Sequence, residues 1–190
     1  MNNTFAGTRV RLRAMEPADV EQFVRDELDR DTDRARADDQ IYLPKGEWRV
    51  RESFADRMRQ EGKMETFRFM IENMDGQIVG SINAHSVDAR NGSFSYGLGI
   101  YEPFRRRGYA SEAVLLLMRY YFMELRMHKC NVEAWSFNDA SIGLHEHLGF
   151  AHEGLRRQVY FTRGRYWDDV LFGMTREEFV QKYPEFSQEG

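Results

Sequence analysis

Cysteine, proline and long apolar runs are all scarce in this 190-residue chain, which has one cysteine and four prolines. A single cysteine, Cys130, excludes an internal disulfide. Its setting, Lys129-Cys130-Asn131-Val132, reads as strand, which makes it a buried structural thiol rather than a nucleophile. No apolar stretch approaches the length of a membrane span, so no membrane partner is expected. The opening Met1 to Gly7 has neither the basic nor the apolar region of a signal peptide. These features set a reducing, cytoplasmic compartment as the expectation. Positive charge is also short: 27 Lys and Arg stand against 31 Asp and Glu, for a net charge of -4. That balance argues against nucleic acid as a partner. His128, His147 and His152 show no metal-ligand spacing with cysteines or acids, so no metal is expected.

What is present fits one globular domain over residues 1–190, with 42% hydrophobic and 14% aromatic residues. Val10-Arg11-Leu12-Arg13 alternates like an edge strand, and Glu16-Pro17 opens a helix carrying Val20, Phe23, Val24 and Leu28 on one face. Trp48 to Gln60 reads as a second helix. Thr66 to Glu72, Ile78 to Val87 and Phe94 to Tyr101 read as strands of an antiparallel meander, joined by Asp75-Gly76 and Asn91-Gly92 turns. Tyr109 to Leu125 is apolar nearly all round, as in a helix covered on most sides. Lys129 to Ser136 follows as a strand parallel to the previous one, since a helix crosses between them. A helix capped by Asn138 or Asp139 comes next, then a Gln158–Phe161 and Tyr166–Met174 hairpin, and a short Arg176–Tyr183 helix stopped by Pro184. Between Asp26 and Asp39 seven acids face three arginines, either a solvated helix end or an acidic rim that attracts a cationic amine.

Chemistry concentrates at Arg105-Arg106-Arg107-Gly108-Tyr109-Ala110, between a strand and an apolar helix. The first N–H groups of a helix lack internal partners and carry the positive end of its dipole. Gly108 allows close backbone approach, and the arginines add forked donors. A diphosphate suits such a site. No Lys-Ser or Lys-Thr follows the glycine, so this is not the ATP or GTP loop.

The pattern Arg-x-x-Gly-x-Ala after a strand resembles the pyrophosphate loop of the GCN5-related N-acetyltransferases. Asn138 to Phe150, which starts at Asn, has the small Ser141 three residues on and ends Leu148-Gly149-Phe150, resembles a second motif of that family. The two cover about residues 92 to 154. The likeness is nearest to the branch with ribosomal-protein alanine and serine acetyltransferases and spermidine acetyltransferases. It implies an α/β fold whose mixed, mostly antiparallel sheet of six to seven strands is flanked by helices. It also implies acetyl-CoA as cosubstrate and direct acetyl transfer to a primary amine, either a small molecule or a protein N-terminus.

By the same resemblance, Leu98 and Ile100 lie on a bulged strand whose backbone bonds the pantetheine arm, an arrangement that Gly97 and Gly99 would suit. Arg105, Arg106, Arg107, Gly108, Tyr109 and Ala110 would hold the diphosphate, with Asn138 and Ser141 on the arm. Glu133 matches the place of a catalytic carboxylate in ribosomal alanine acetyltransferases, where a half-buried setting would raise its pKa for proton removal. His145 stands where many members have a tyrosine acid, and a protonated imidazole could give a proton to the leaving thiolate. Glu72 and His85 are reserve candidates. Trp48, Tyr160, Tyr166 and Trp167 could line the acceptor pocket, against the ordinary alternative of core packing. A homodimer is compatible with the sequence, which does not fix the oligomeric state. The rival reading is a non-catalytic acyl-CoA-binding module that acts by interaction, kept open by His145 in place of tyrosine.

Overall fold

The computed structural model describes residues 3–28, 43–59 and 67–186. Along the chain run β1 (Val10–Arg13), α1 (Val20–Leu28), α2 (Glu47–Arg59), β2 (Arg68–Asn73), β3 (Ile78–Asp88), β4 (Ser93–Ile100), α3 (Tyr109–Arg119), β5 (Lys129–Trp135), α4 (Asp139–Leu148), β6 (Ala151–Thr162), β7 (Arg165–Thr175) and α5 (Arg176–Lys182). The strands form one seven-stranded sheet in the order β1-β2-β3-β4-β5-β7-β6. Every neighbouring pair is antiparallel except β4 and β5. This is the mixed, mostly antiparallel α/β architecture that the sequence implied.

Alternation divides the sheet into two faces. One carries Leu12, Phe69, Ile71, Ile82, Phe94, Val132 and Phe172 into the main core, against Val114, Leu117 and Tyr121 after the β4 crossover, Leu148 of α4 and Phe179 of α5. On the opposite face Met70 packs with Met15 and with Phe54 of α2, while Phe23 of α1 meets Phe54 in a tilted contact at 5.3 Å between ring centres. β2 is therefore covered on both sides, which is why Phe69 to Asn73 are all buried although the sequence alternates. The buried aromatics Phe94, Tyr121, Phe122 and Phe172 each contribute about 1.5–3 kcal/mol by leaving water.

The crossover helix differs from the single run that its apolar pattern suggested. Regular α-helix ends at Arg119, and Tyr120–Glu124 forms one π-helical turn, closed by Leu125 N–H to the Tyr120 carbonyl at 3.2 Å. The wider turn lets Tyr121 and Phe122 both face the core. β6 begins at Ala151, seven residues earlier than the pattern indicated. It is an edge strand, exposed on both faces for most of its length, so no hydrophobic alternation marks it. Its register slips between Arg156 and Tyr160, with Gln158 at φ 55°. Most of the acidic segment, with Gln60, Gly62 and Thr66, lies outside the described residues.

Candidate active site

A parallel pair that fails to stay paired creates the site. β4 and β5 meet only at Ser93↔Lys129 and Phe94↔Cys130. Beyond that point β4 stays with β3 as far as Ile100, while β5 stays with β7 as far as Trp135. The sheet opens as a V, and the β4 edge from Ser95 to Ile100 faces no strand among the described residues. Both helices that follow these strands start at the wide end: α3 after β4 and α4 after β5.

At the first helix start, Gly108 caps α3 with φ 80° and ψ 0°, left-handed values that strain any side-chain-bearing residue. A Cβ there would also lie 2.6 Å from Nη1 of Arg9. Arg106 is left-handed too, at φ 61°. The first helical hydrogen bond runs from Glu112 N–H to the Gly108 carbonyl (3.2 Å), which leaves the amides of Tyr109, Ala110 and Ser111 ahead of the ladder. Arg105 returns its Nε to the Ile100 carbonyl (3.3 Å), and Arg107 bonds the Pro103 carbonyl (2.9 Å) over the Phe104 ring. Arg9 reaches the Arg107 carbonyl at 3.1 Å. The guanidinium groups of Arg9, Arg105 and Arg107 are thus anchored around the loop, and of these the sequence did not single out Arg9.

Glu112, in the first turn of α3, ties this loop to the start of β1. It accepts from Thr8 N–H (2.9 Å), Thr8 Oγ1 (2.8 Å), Arg9 N–H (2.7 Å) and Val10 N–H (2.7 Å). Burial pushes its pKa up, but the Thr8 hydroxyl and the three amides outweigh burial and hold it below the ordinary value.

At the second helix start, Asn138 Oδ1 caps α4 by accepting from Ser141 N–H at 3.2 Å. Leu98 and Ile100 turn their side chains toward the main core and leave only backbone at the open edge. The implied bulge is not on β4, whose residues pair one to one with β3 from Gly80↔Ile100 to His85↔Ser95. The extra residue falls on β3 between His85 and Asp88, where Ser86 takes φ 51°. Among these strands the glycine that packing demands is Gly80, since a Cβ there would stand 2.1 Å from the Gly99 carbonyl oxygen.

Glu133 lies on the α1–α2 face of β5, but it is exposed rather than half-buried. Arg156 of β6 bridges it to Asp169 of β7, donating from Nε to Asp169 at 2.9 Å. The buried carboxylate is Asp169, only 1% exposed, with Oδ1 lacking a hydrogen-bond partner among the described residues. Burial raises its pKa first and the Glu133 charge raises it further, against the pull of Arg156. Neither Arg156 nor Asp169 carries a local sequence signal, because the triad forms only across three strands. Beside it stand Trp135 and Tyr160, stacked at 4.5 Å, and Phe137 against Trp167 at 5.2 Å.

His145 does not fit the role of a charged acid. Its ring is 4% exposed between Tyr96, Phe150 and Phe172. Burial pushes its pKa down to about 4, only partly offset by the Ser141 backbone, so the imidazole is neutral at neutral pH. Glu72 is committed elsewhere, between Arg11 and Arg13, with Arg13 Nε at 2.6 Å. His85 is exposed, its Nδ1 3.1 Å from Ser86 Oγ. Trp48 and Tyr166 are 68% and 61% exposed. The described residues hold no group of three or more His, Cys, Asp or Glu that could bind a metal, and no helix long and apolar enough to cross a membrane.

Known proteins share the family and the fold. The family model described as an acetyltransferase (GNAT) domain matches residues 9–151. The SPβ prophage-derived uncharacterized N-acetyltransferase YokL of Bacillus subtilis is 39% identical over 92% of this chain and 94% of its own. YdaF of B. subtilis, named as a presumed ribosomal N-acetyltransferase, is 29% identical over 55% of this chain and 57% of its own. The solved spermidine N-acetyltransferase of Vibrio cholerae, in complex with CoA and spermine, shares the fold with a TM-score of 0.77, 18% identity, and coverage of 92% of this chain and 99% of that one.

Proposed function

The chain belongs to the acetyltransferase (GNAT) family and is an acyltransferase, and on that premise we propose that it moves an acetyl group from acetyl-CoA directly to a primary amine. The acceptor class comprises a protein N-terminus, a polyamine or another small amine, in line with the names of YdaF and of the Vibrio enzyme. The single observation that carries the reading is the V between β4 and β5, with a left-handed glycine and four arginines at its wide end.

In this reading the diphosphate sits on the amides ahead of the α3 ladder, and Arg9, Arg105, Arg106 and Arg107 supply charge around it. The pantetheine arm lies along the open edge of β4 and takes the place of the strand that β5 vacates. Asn138 contributes its amide to the arm while its Oδ1 caps α4. The amine nitrogen attacks the thioester carbon. A C–N bond forms, the C–S bond breaks, and CoA leaves as thiolate. The amine proton passes to Glu133 through water, with Arg156 and Asp169 fixing the carboxylate. The thiolate takes its proton from solvent, since His145 is neutral and enclosed.

The test is free-thiol release from acetyl-CoA against N-terminal peptides, polyamines and small amines, beside calorimetric titration of CoA into wild type and Gly108→Glu. Amine-dependent release is expected, with CoA affinity reduced at least a hundredfold in the variant. Unchanged CoA affinity in Gly108→Glu would remove the assigned loop.

A further inference from the structure

The α1–α2 face of the central sheet carries a charge that the proposed transfer chemistry does not use. Phe69 and Ile71 enter the main core and Met70 the opposite one, so Arg68 shares the Met70 face with α2. Pairing continues the row: Arg68 lies opposite Asn83, and Asn83 opposite Gly97 on β4. The next row is Met70, Ser81 and Gly99. The glycines leave the β4 end of both rows without side chains. The floor beside the open edge of β4 is therefore low and polar, and it rises toward β2 into a guanidinium.

Arg68 is partly buried, and its hydrogen bond is Nη1 to Ser81 Oγ at 2.9 Å. It makes no ion pair among the described residues, unlike Arg11, Arg13, Arg51, Arg59 and Arg156. Arg57 on α2 is near enough to repel it. Tyr101 and, less strongly, Glu27 act in the opposite sense, and Glu27 also holds Lys45 at 2.6 Å. Burial, and then Arg57, push the Arg68 pKa down to about 10. A shielded guanidinium with no ion pair among the described residues is costly to keep, and an arriving anion would offset that cost.

We propose that Arg68, with the Ser81 hydroxyl, binds a carboxylate carried by the amine that is acetylated. This rests on the reading of the β4–β5 opening as the site of acetyl transfer. β2 lies two strands from β4, about 10 Å at ~4.8 Å per strand, and the arginine stem narrows that gap. An acceptor with its amine at the opening and its carboxylate toward β2 spans the floor. A polyamine would instead bring a second cation against Arg68 and Arg57. The carboxylate can belong to a free amino acid or to an acidic side chain next to a peptide N-terminus. Both present the planar oxyanion that a guanidinium fork matches.

Two matched acceptor pairs distinguish these sources: δ-aminovalerate against pentylamine, and amidated Ala-Asp-Gly against amidated Ala-Asn-Gly. With wild type, at least one carboxylate-bearing partner should show a KM tenfold or more below that of its neutral counterpart. In Arg68→Gln that ratio should collapse toward one, and Arg68→Lys should fall between, with CoA affinity as the control for folding. Binding is read separately, by titrating the N-acetylated forms of δ-aminovalerate and of the Asp peptide into CoA-loaded protein. Binding to wild type that is lost in Arg68→Gln supports the anion site even if no amine turns over, an outcome that would instead sink the transfer reading. Equal KM values within both pairs, or acetylated probes that bind wild type and Arg68→Gln alike or bind neither, would overturn the anion site and leave acetyl transfer standing.

Discussion

At the scale of single residues, burial decides which titratable groups can do chemistry. His145 has a folded pKa near 4 and an unfolded reference of 6.5. Between those values the unfolded chain binds a proton that the folded one refuses, so stability rises with pH across the window. At about 1.36 kcal/mol per pH unit, a few kcal/mol are at stake. Thermal unfolding of wild type should therefore drop clearly from pH 7 to pH 4.5, and His145→Phe should flatten that slope. The same variant should keep thiol release within about tenfold of wild type, because a neutral enclosed ring gives up no proton. An unchanged slope would mean that the ring is not held neutral. Glu133 presents the opposite case, an exposed carboxylate shared with Arg156 and Asp169. Glu133→Gln should lower kcat by about a hundredfold or more with the acetyl-CoA KM preserved, as expected for a lost general base. Steady-state kinetics with an unaltered kcat would assign proton removal elsewhere.

At the scale of elements, the site depends on β1 and α3 being held together by one carboxylate. Glu112 receives three backbone amides and a hydroxyl from Thr8 to Val10. Glu112→Gln keeps one acceptor oxygen and puts donors where acceptors are needed. Calorimetric unfolding should show a loss of about 1–3 kcal/mol. Because Arg9 follows Thr8, CoA affinity should fall with it; a stability loss alone would mean that the Arg9 position is independent of this anchor. Elements of this kind were only partly legible in the sequence. The arginine loop and the Asn138 cap could be read because their residues are consecutive and their physics is local to a helix start. α3 could be read because nearly all its sides are apolar. The first half of β6 could not, since both of its faces meet solvent. The implied β4 bulge was misplaced onto the wrong strand of its pair: the extra residue sits on β3. Arg9, Arg68, Arg156 and Asp169 were out of reach for a different reason. Arg9 meets a carbonyl 98 residues away, and Arg156 meets Asp169 across a strand pair, contacts that no local pattern encodes.

At the scale of the whole molecule, an acidic protein is asked to bind a polyanion. The net charge of -4 repels acetyl-CoA at long range, so the proposed binding rests on the local field at the start of α3, where Arg9, Arg105, Arg106 and Arg107 gather. Arg105, Arg106 and Arg107 are exposed, and salt screens exposed charges strongly. The screening length falls from about 10 Å at 0.1 M to about 3 Å at 1 M. The KM for acetyl-CoA should accordingly rise several-fold between those salt concentrations, while kcat at saturating cosubstrate stays nearly level. In the proposed reading the backbone amides of Tyr109, Ala110 and Ser111 are fixed dipoles that meet the diphosphate directly, and they should retain a salt-resistant share of the affinity. Replacing Arg105 and Arg106 together by Gln separates the two contributions. The double variant should bind acetyl-CoA more weakly at low salt and converge with wild type at high salt. Coincident salt curves for the two proteins would leave Arg105 and Arg106 without a part in the affinity.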